Sequence, residues 1–247
     1  IIARNTSTTV VTNFRAADVM AGGQGAPLAP LLHQELFHSD TENRAILNIG
    51  GIANLTILPS EGGVGGFDCG PGNCLMDAWT KLHLQKEFDQ DGRWAAKGKA
   101  DGELLQSLMA DPYFSQRPPK STGLEYFNLN WLKRHLGESA ISETDVQATL
   151  TELSARSVAA SLEKPGLPDR LLVCGGGVHN TFMMQRLAAA IPTVAIEPTN
   201  LHGIDPDCVE GLLFAWLAYQ RLNGHSQDTT AITGASQAVF LGDIFQP

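Results

Sequence analysis

The sequence predicts an α/β fold with a mixed sheet flanked by helices. Short apolar runs typical of buried strands, such as Ala45–Ile49 and Leu171–Cys174, alternate with longer segments of helical periodicity, such as Cys74–Leu84 and Asp145–Leu162. With 247 residues, of which 43% are hydrophobic, the chain can bury one large core or two smaller ones. Nothing in the composition indicates a fibrous or disordered protein.

The first part of the chain is predicted to be rich in strands. β-branched residues favour a strand, glycine and proline clusters favour loops, and an amphipathic pattern favours a helix. In chain order we expect a strand at Thr8–Asn13, a short helix at Leu28–Phe37 and a hairpin whose strands are Ala45–Ile49 and Leu55–Leu58. Next come a strand that carries Asp68 and a helix at Cys74–Leu84.

The second part is predicted to be mainly helical. Residues 88–134 are polar and helical in patches, because Pro112 and the pair Pro118-Pro119 break any longer helix. The clearest helix follows, with Val146, Leu150 and Leu153 near one face. This helix is expected at Asp145–Leu162, followed by a strand at Leu171–Cys174 and a helix at Phe182–Ile191. A strand at Val194–Ile196 and a helix at Cys208–Leu222 complete the prediction.

Charge and cysteine usage exclude several classes of protein. The net charge of -9 and the isoelectric point near 5.2 argue against sequence-independent nucleic-acid binding, which needs clustered Lys and Arg. The four cysteines form no CxxC pair and fit reduced thiols, which predicts a cytoplasmic protein. No apolar run approaches the ~20 residues of a membrane span. The first residue is not methionine and the chain opens as if within a domain, so we expect a fragment.

Asp68 is the candidate catalytic carboxylate. It lies where a strand gives way to the rigid turn Gly70-Pro71-Gly72, a common position for a general base. An aspartate before such a turn can equally be a capping residue. Asp77, nine residues further on, is interpreted as structural. Asp89 and Asp91 resemble part of a calcium loop but lack the rest of its pattern, and no metal is predicted from protein ligands alone.

Two glycine turns are candidate nucleotide sites. Gly50-Gly51 ends one buried strand, and Gly175-Gly176-Gly177 ends another just before Asn180 opens a helix. Bare backbone lets a nucleotide approach closely, and a helix N-terminus favours phosphate. Neither a Rossmann fingerprint nor a Walker loop is present. The triple glycine can also be a simple strand-to-helix connection. If both turns bind one nucleotide, they hold it from different parts of the chain.

A third group of polar residues follows the first strand. Arg15 and Asp18 are either a weak surface ion pair or part of a site that grips a polar ligand. Gln24, between glycines in the adjacent loop, favours the ligand reading, because a guanidinium, a carboxylate and an amide suit the hydroxyls and carboxylate of a carbohydrate. The turn Lys120–Gly123 lies either at the same site or elsewhere.

Seven strings, in order along nearly the whole chain, resemble those of anhydro-N-acetylmuramic acid kinases of the sugar kinase, Hsp70 and actin superfamily. They are NFRAADVMAGGQGAPL (Asn13–Leu28), LNIGGIANL (Leu47–Leu55), GFDCGPGN (Gly66–Asn73), DGRWAAKG (Asp91–Gly98), KSTGLEYFN (Lys120–Asn128), DVQATLTELSA (Asp145–Ala155) and VCGGGVHN (Val173–Asn180).

The resemblance implies an actin-like or Hsp70-like ATPase domain of the ribonuclease H-like kind. It implies the remainder of an N-terminal domain at residues 1–44, and a C-terminal ATPase domain at residues 45–247 whose last helices and tail pack back on the first. It also implies a cytoplasmic kinase that uses ATP and magnesium to hydrolyse the 1,6-anhydro bond of anhydro-N-acetylmuramic acid and phosphorylate the 6-oxygen, in peptidoglycan recycling. A homodimer is compatible with it.

Residue roles follow from the same resemblance. Asp68 matches the general base. ATP is assigned to the two glycine turns and the amides beside them: Gly50, Gly51, Asn54, Gly175, Gly176, Gly177 and Asn180. The sugar is assigned to the first loop and to the turn after Asp68: Arg15, Asp18, Gln24, Gly25 and Asn73.

The sequence departs from the family pattern at several points. Cys69 stands in place of a threonine, and Leu124 and Gln237 in place of arginines, which removes two potential anion contacts. The first phosphate loop of the family, a GTSMDG-like string, is absent from these residues, so we expect them to be inactive alone. The alternative functions are an ATP- and sugar-binding sensor and a chaperone-like ATPase module, neither of which requires Asp68 beside a sugar.

Overall fold

The computed structural model describes residues 1–137, 140–163 and 166–247. Within this part of the chain the strands form two sheets. The strands are β1 (Val10–Thr12), β2 (Arg44–Ile49), β3 (Ile52–Leu58), β4 (Gly65–Pro71), β5 (Arg170–Cys174), β6 (Ala195–Pro198) and β7 (Asp243–Phe245). The α-helices are α1 (Ile2–Thr6), α2 (Ala16–Met20), α3 (Ala29–Phe37), α4 (Cys74–Leu84), α5 (Gly102–Met109), α6 (Pro112–Ser115), α7 (Leu129–Leu136), α8 (Glu143–Glu163), α9 (Thr181–Ala190), α10 (Val209–Leu222) and α11 (Thr230–Thr233).

The larger sheet is mixed, with strand order β4-β3-β2-β5-β6. β3 runs antiparallel to both of its neighbours, whereas β2, β5 and β6 are parallel. A tight hairpin can join only antiparallel strands, so β2, β3 and β4 form a meander and the parallel strands are reached through helices. This order, with one antiparallel strand, is the ribonuclease H-like sheet of actin-like ATPases, which confirms the predicted fold class.

Helices cover both faces of this sheet because side chains alternate along each strand. Ala45, Leu47 and Ile49 of β2 face α8 and α9, which contribute residues such as Val158 and Leu187 to the same core. The intervening residue Ile46 faces the opposite way, toward Phe37 of α3 and Val209 at the start of α10. The predicted arrangement of a sheet flanked by helices is confirmed.

The helices between β4 and β5 form a second core. The predicted helix Cys74–Leu84 has the observed bounds of α4, and the long helix extends slightly beyond its predicted ends. Residues 88–134 are helical in patches, as predicted, and several of the apolar residues among them are buried. Leu104 and Leu108 lie one helical turn apart and pack with Trp131, all three buried.

The two ends of the described chain meet in the small sheet, where β1 pairs antiparallel with β7, Val10 opposite Phe245. Leu28 and Leu32 around α3 pack with Leu213 and Leu217 of α10 and with Leu241. The tail therefore contacts the first residues of the chain, while the division at residue 44 stays a prediction. Among the described residues, no helix has both the length and the apolar character needed to cross a bilayer.

Candidate active site

A row of polar residues crosses the sheet at the end where β2 and β5 finish. Asp68 on β4 is opposite Asn54 on β3, Asn54 is opposite Asn48 on β2, and Asn48 is in register with Cys174 on β5. Asn48 shares its face of β2 with Ile46, which places the row on the side covered by α3 and α10. Ligands of open α/β sheets bind outside the carboxyl ends of parallel strands, which is where this row lies.

A cavity of about 380 Å³ opens over this row. It brings together six residues predicted from the sequence: Arg15, Gly50, Asn54, Asp68, Gly175 and Gly176. Three separate parts of the chain thus meet around one space, although they are distant in sequence. Of the remaining predicted residues, Gly51, Gly177, Asp18, Gln24 and Gly25 are not part of this cavity's lining.

Asp68 is held by the turn between α6 and α7. Its Oδ2 accepts hydrogen bonds from the Thr122 backbone N–H at 2.9 Å and from Ser121 Oγ at 3.0 Å. Partial burial raises the pKa of Asp68 above its usual range, while these two donors and the charge of Lys120 lower it. The turn Lys120–Gly123, whose position the sequence left open, therefore orients the carboxylate. A carboxylate with a raised pKa is a stronger base than an ordinary one.

The Gly50-Gly51 turn is docked against the start of α4. The Gly50 carbonyl accepts the Asn73 N–H at 2.8 Å, and the Gly51 carbonyl accepts the N–H groups of Gly72 and Cys74. A side chain on Gly72 would collide with the Gly50 carbonyl, so a glycine is needed there for the contact. Since Gly72 follows β4 directly, this contact fixes the turn relative to Asp68.

The three glycines after β5 have different roles. Gly175 has a φ of 78°, and a side chain there would collide with Asn48 Oδ1. A side chain on Gly177 would collide with Ile49, so Gly177 is a packing residue. A Cβ on Gly176 would have no neighbour within 4 Å. Gly176 alone of the three combines a lining position with free space beside its backbone.

A second cavity of about 430 Å³ shares Gly176 with the first. Its lining includes the predicted residues Asn73 and Asn180. Asn180 Oδ1 accepts the Met183 N–H at 2.9 Å and so caps the N-terminus of α9. Because Asn180 lines the second cavity, the start of α9 lies beside that cavity. His179 of the second cavity bonds both carboxylate oxygens of Asp207, which lines the first, at 3.0 Å.

Asp18 is a buried anchor. It has no exposed surface, its Oδ2 accepts the Gly25 N–H at 2.7 Å, and its Oδ1 accepts the hydroxyls of Thr229 and Thr233. Arg15 is exposed and donates to the Gly25 carbonyl at 2.9 Å. Asp18 was predicted either to pair with Arg15 or to grip a ligand; in this conformation its oxygens are occupied and it instead holds the loop that positions Arg15. Gln24 is exposed, with its N–H bonded to the Thr233 carbonyl.

We predict that Asp18→Ala destabilises the protein by about 2 kcal/mol or more, because the Gly25 N–H and the Thr229 hydroxyl lose their buried acceptor. Urea unfolding measures the loss. The same variant should bind sugar more weakly, since the loop that holds Arg15 loosens. Asp40→Ala is the matched control, because the Asp40 side chain is 94% exposed. Equal stability of the two variants would contradict the anchoring role.

Asp77 lines the second cavity together with Asp89 and Asp91. Burial, and then the charges of Asp89 and Glu87, raise the pKa of Asp77 to about 6. Since the folded-state pKa exceeds the unfolded value, folding is favoured below pH 4 by this group, and that contribution is lost as the pH rises toward 6. Among the described residues, no group of three or more His, Cys, Asp or Glu side chains is arranged to hold a metal ion.

We therefore predict that Asp77→Asn raises the free energy of unfolding at pH 7.5 by about 1 kcal/mol, a value reduced from the full shift because the group is partly solvated. Wild type and variant should differ less at pH 4.5. Chemical denaturation at the two pH values is the measurement. A variant whose stability differs from wild type by the same amount at both pH values would show that the pKa of Asp77 is not raised in the folded state.

Several cavity residues were not anticipated from the sequence. Asn48, His33, Asp207 and Glu210 line the first cavity, and Ser121 and Thr122 contact the predicted base. The three departures from the family pattern lie elsewhere. Cys69 is fully buried in the core on the opposite face of β4 from Asp68, and Leu124 and Gln237 are exposed. Cys69 therefore does not reach the cavity.

A carboxylate and a guanidinium in one cavity, with glycine turns from two strands of a mixed sheet, are compatible with a carbohydrate kinase. The family model for anhydro-N-acetylmuramic acid kinase matches residues 1–247. The chain belongs to this family, and it is therefore a kinase.

Relatives of the same name are found in several bacteria. The chain is 47% identical over 247 residues to the anhydro-N-acetylmuramic acid kinase of Pseudomonas syringae pv. tomato, a match that covers 99% of this chain and 68% of that protein. The corresponding enzyme of Xanthomonas axonopodis pv. citri is 48% identical, with 99% and 66% covered. That of Xylella fastidiosa is 49% identical, with 98% and 64% covered. The chain thus spans about two thirds of the length of these relatives.

Proposed function

We propose that the protein hydrolyses the 1,6-anhydro bond of anhydro-N-acetylmuramic acid and transfers the γ-phosphoryl group of ATP to the 6-oxygen, giving N-acetylmuramic acid 6-phosphate. The observation that carries the proposal is the placement of Asp68 in one cavity with Arg15 and with the turns at Gly50 and Gly175-Gly176. The names of the relatives support the choice of sugar.

Asp68 acts as the general base. It takes a proton from a water molecule, whose oxygen bonds to the anomeric carbon while the bond from that carbon to the 6-oxygen breaks. The 6-oxygen then attacks the γ-phosphoryl group, and ADP leaves. Because the base acts only on water, it does not need to touch the nucleotide. Arg15 is assigned to the carboxylate of the sugar, since a guanidinium pairs well with a carboxylate.

The nucleotide is assigned to the second cavity and to the junction at Gly176. Bare backbone at Gly176 permits close approach, and the N-terminus of α9 beside Asn180 favours negative charge. Magnesium would enter bound to the phosphates, since this ion keeps several waters and needs few protein ligands. The sugar in the first cavity then lies next to the phosphates across Gly176.

Isotope labelling tests the whole proposal. We expect the protein with the family's first phosphate loop present, given ATP, magnesium and anhydro-N-acetylmuramic acid in ¹⁸O-water, to form a sugar 6-phosphate that carries ¹⁸O at the anomeric carbon and none in the phosphate. Mass spectrometry of the fragments locates the label. Unchanged sugar together with ¹⁸O-labelled inorganic phosphate would instead indicate an ATPase module that only binds sugar, and would overturn the proposal.

A further inference from the structure

His33 is a buried side chain of the first cavity that the reaction described above does not use. It lies on α3 one helical turn after Ala29, and both residues line the cavity. Its Nδ1 is 2.8 Å from Thr56 Oγ1 of β3, and only 1% of the residue is exposed. Its Nε2 is buried and has no hydrogen-bond partner. A buried polar atom without a partner costs about 1–3 kcal/mol, so a partner is expected in the functional state.

His33 lies close to the predicted base along the sheet. Thr56, its partner, is two residues beyond Asn54 on β3, and Asn54 is opposite Asp68. Two residues of a strand span about 7 Å. Gly66, opposite Thr56, permits this packing, because a Cβ there would lie 2.5 Å from Pro30 Cγ of α3. A sugar whose anomeric carbon faces Asp68 can therefore reach His33 with a substituent on the neighbouring carbon.

The wall around His33 suits a group that is both apolar and neutral. The lining residues contributed by α3 and α10 include Ala29, Leu213 and Phe214, and only His33 and Glu210 among them are polar. Burial lowers the pKa of His33 to about 4, so the ring is neutral at pH 7. A neutral imidazole has no charge to pair with a carboxylate, which Arg15 serves better, but it can form a hydrogen bond with an amide.

We propose that His33 Nε2 binds the acetamido group on the sugar carbon next to the anomeric carbon, and so selects N-acetylated substrates. This inference rests on the proposed function. With Nδ1 bonded to the Thr56 hydroxyl, either tautomer suits an amide: Nε2–H donates to its carbonyl, or Nε2 accepts its N–H. The acetamido methyl packs against the apolar wall.

Two substitutions separate the two ring nitrogens. Asparagine places its amide near the Nδ1 position and can keep the bond to Thr56, whereas glutamine reaches the Nε2 position. Wild type should bind anhydro-N-acetylmuramic acid about 10-fold more tightly than its de-N-acetylated analogue, as expected for one hydrogen bond and a buried methyl. His33→Asn should lose this preference, and His33→Gln should restore most of it. Calorimetry with both sugars measures the ratio.

The outcomes distinguish this inference from the proposed function. A wild-type protein that binds neither sugar would overturn both. A wild type that binds and phosphorylates the sugar, with the preference unchanged in His33→Asn, would overturn only the role of His33. If the variants fail to fold, ¹⁵N spectra of the histidine rings in wild type decide the question: the Nε2 resonance of His33 should move when the N-acetylated sugar is added, and an unchanged resonance would refute the contact.

Discussion

Replacing Asp68 with asparagine, in the protein that carries the family's first phosphate loop, should lower kcat about 100- to 10,000-fold, because the amide cannot accept a proton from the attacking water. Binding of sugar and ATP should change little. The amide oxygen can still accept from Ser121 and Thr122, so the turn that holds residue 68 keeps its hydrogen bonds. Steady-state rates of ADP release, with calorimetry for both ligands, separate the chemical step from binding. Near-normal turnover would remove Asp68 from the role of base.

Ser121→Ala tests the same carboxylate by a smaller change, because it removes one hydrogen bond to Asp68 and keeps the base itself. The Ser121 hydroxyl bonds the Asp68 carboxylate and lowers its pKa, so its removal should raise that pKa further. Since the base acts only when ionised, kcat/KM of wild type should fall as the pH drops through the pKa of Asp68. In Ser121→Ala the same fall should occur at higher pH, with the plateau rate largely kept. A profile of kcat/KM between pH 4 and 8 measures this, and coincident profiles would contradict the contact.

Local patterns in the sequence predicted most of the secondary structure. The bounds of α4 were predicted correctly, since its amphipathic pattern begins after a glycine-proline turn and depends only on neighbouring residues. Asp68 and the glycine turns were predicted as candidates for the same reason, because the end of a strand is visible locally. The core between α5 and α7 was missed because Leu104 and Trp131 become neighbours only after the helices pack.

Contacts between distant residues decide the rest of the site. Asn48 was visible as the polar residue of a buried strand, but its place in the row with Asp68 depends on two strand pairings that periodicity does not give. Asp18 was predicted either to form a surface ion pair with Arg15 or to grip a ligand. It is buried because Thr229, 211 residues further along the chain, supplies a hydroxyl to it. His33 had the spacing of an ordinary helix residue, and only its unpartnered nitrogen distinguishes it.

The structure also separates two glycines that are adjacent in the sequence. Gly176→Val should weaken ATP binding at least 10-fold while changing sugar affinity less, because the new side chain would occupy the junction between the two cavities. The protein should still fold, since a Cβ at this position meets no atom within 4 Å. Gly177→Val should instead destabilise the fold, because its side chain would collide with Ile49. Calorimetry with ATP and urea unfolding distinguish the two effects.

Gly63→Val is the matched control for Gly176→Val, because Gly63 is exposed, has free space around its Cβ position and lies in the loop before β4, outside both cavities. It should leave ATP affinity at the wild-type value, so any loss in Gly176→Val is due to position and not to valine itself. If a backbone surface at the junction binds the phosphates, a side chain there must displace them, whatever its chemistry. Gly176→Ala should then give a smaller loss of the same kind. Wild-type ATP affinity in a folded Gly176→Val protein would show that the nucleotide does not pass over Gly176.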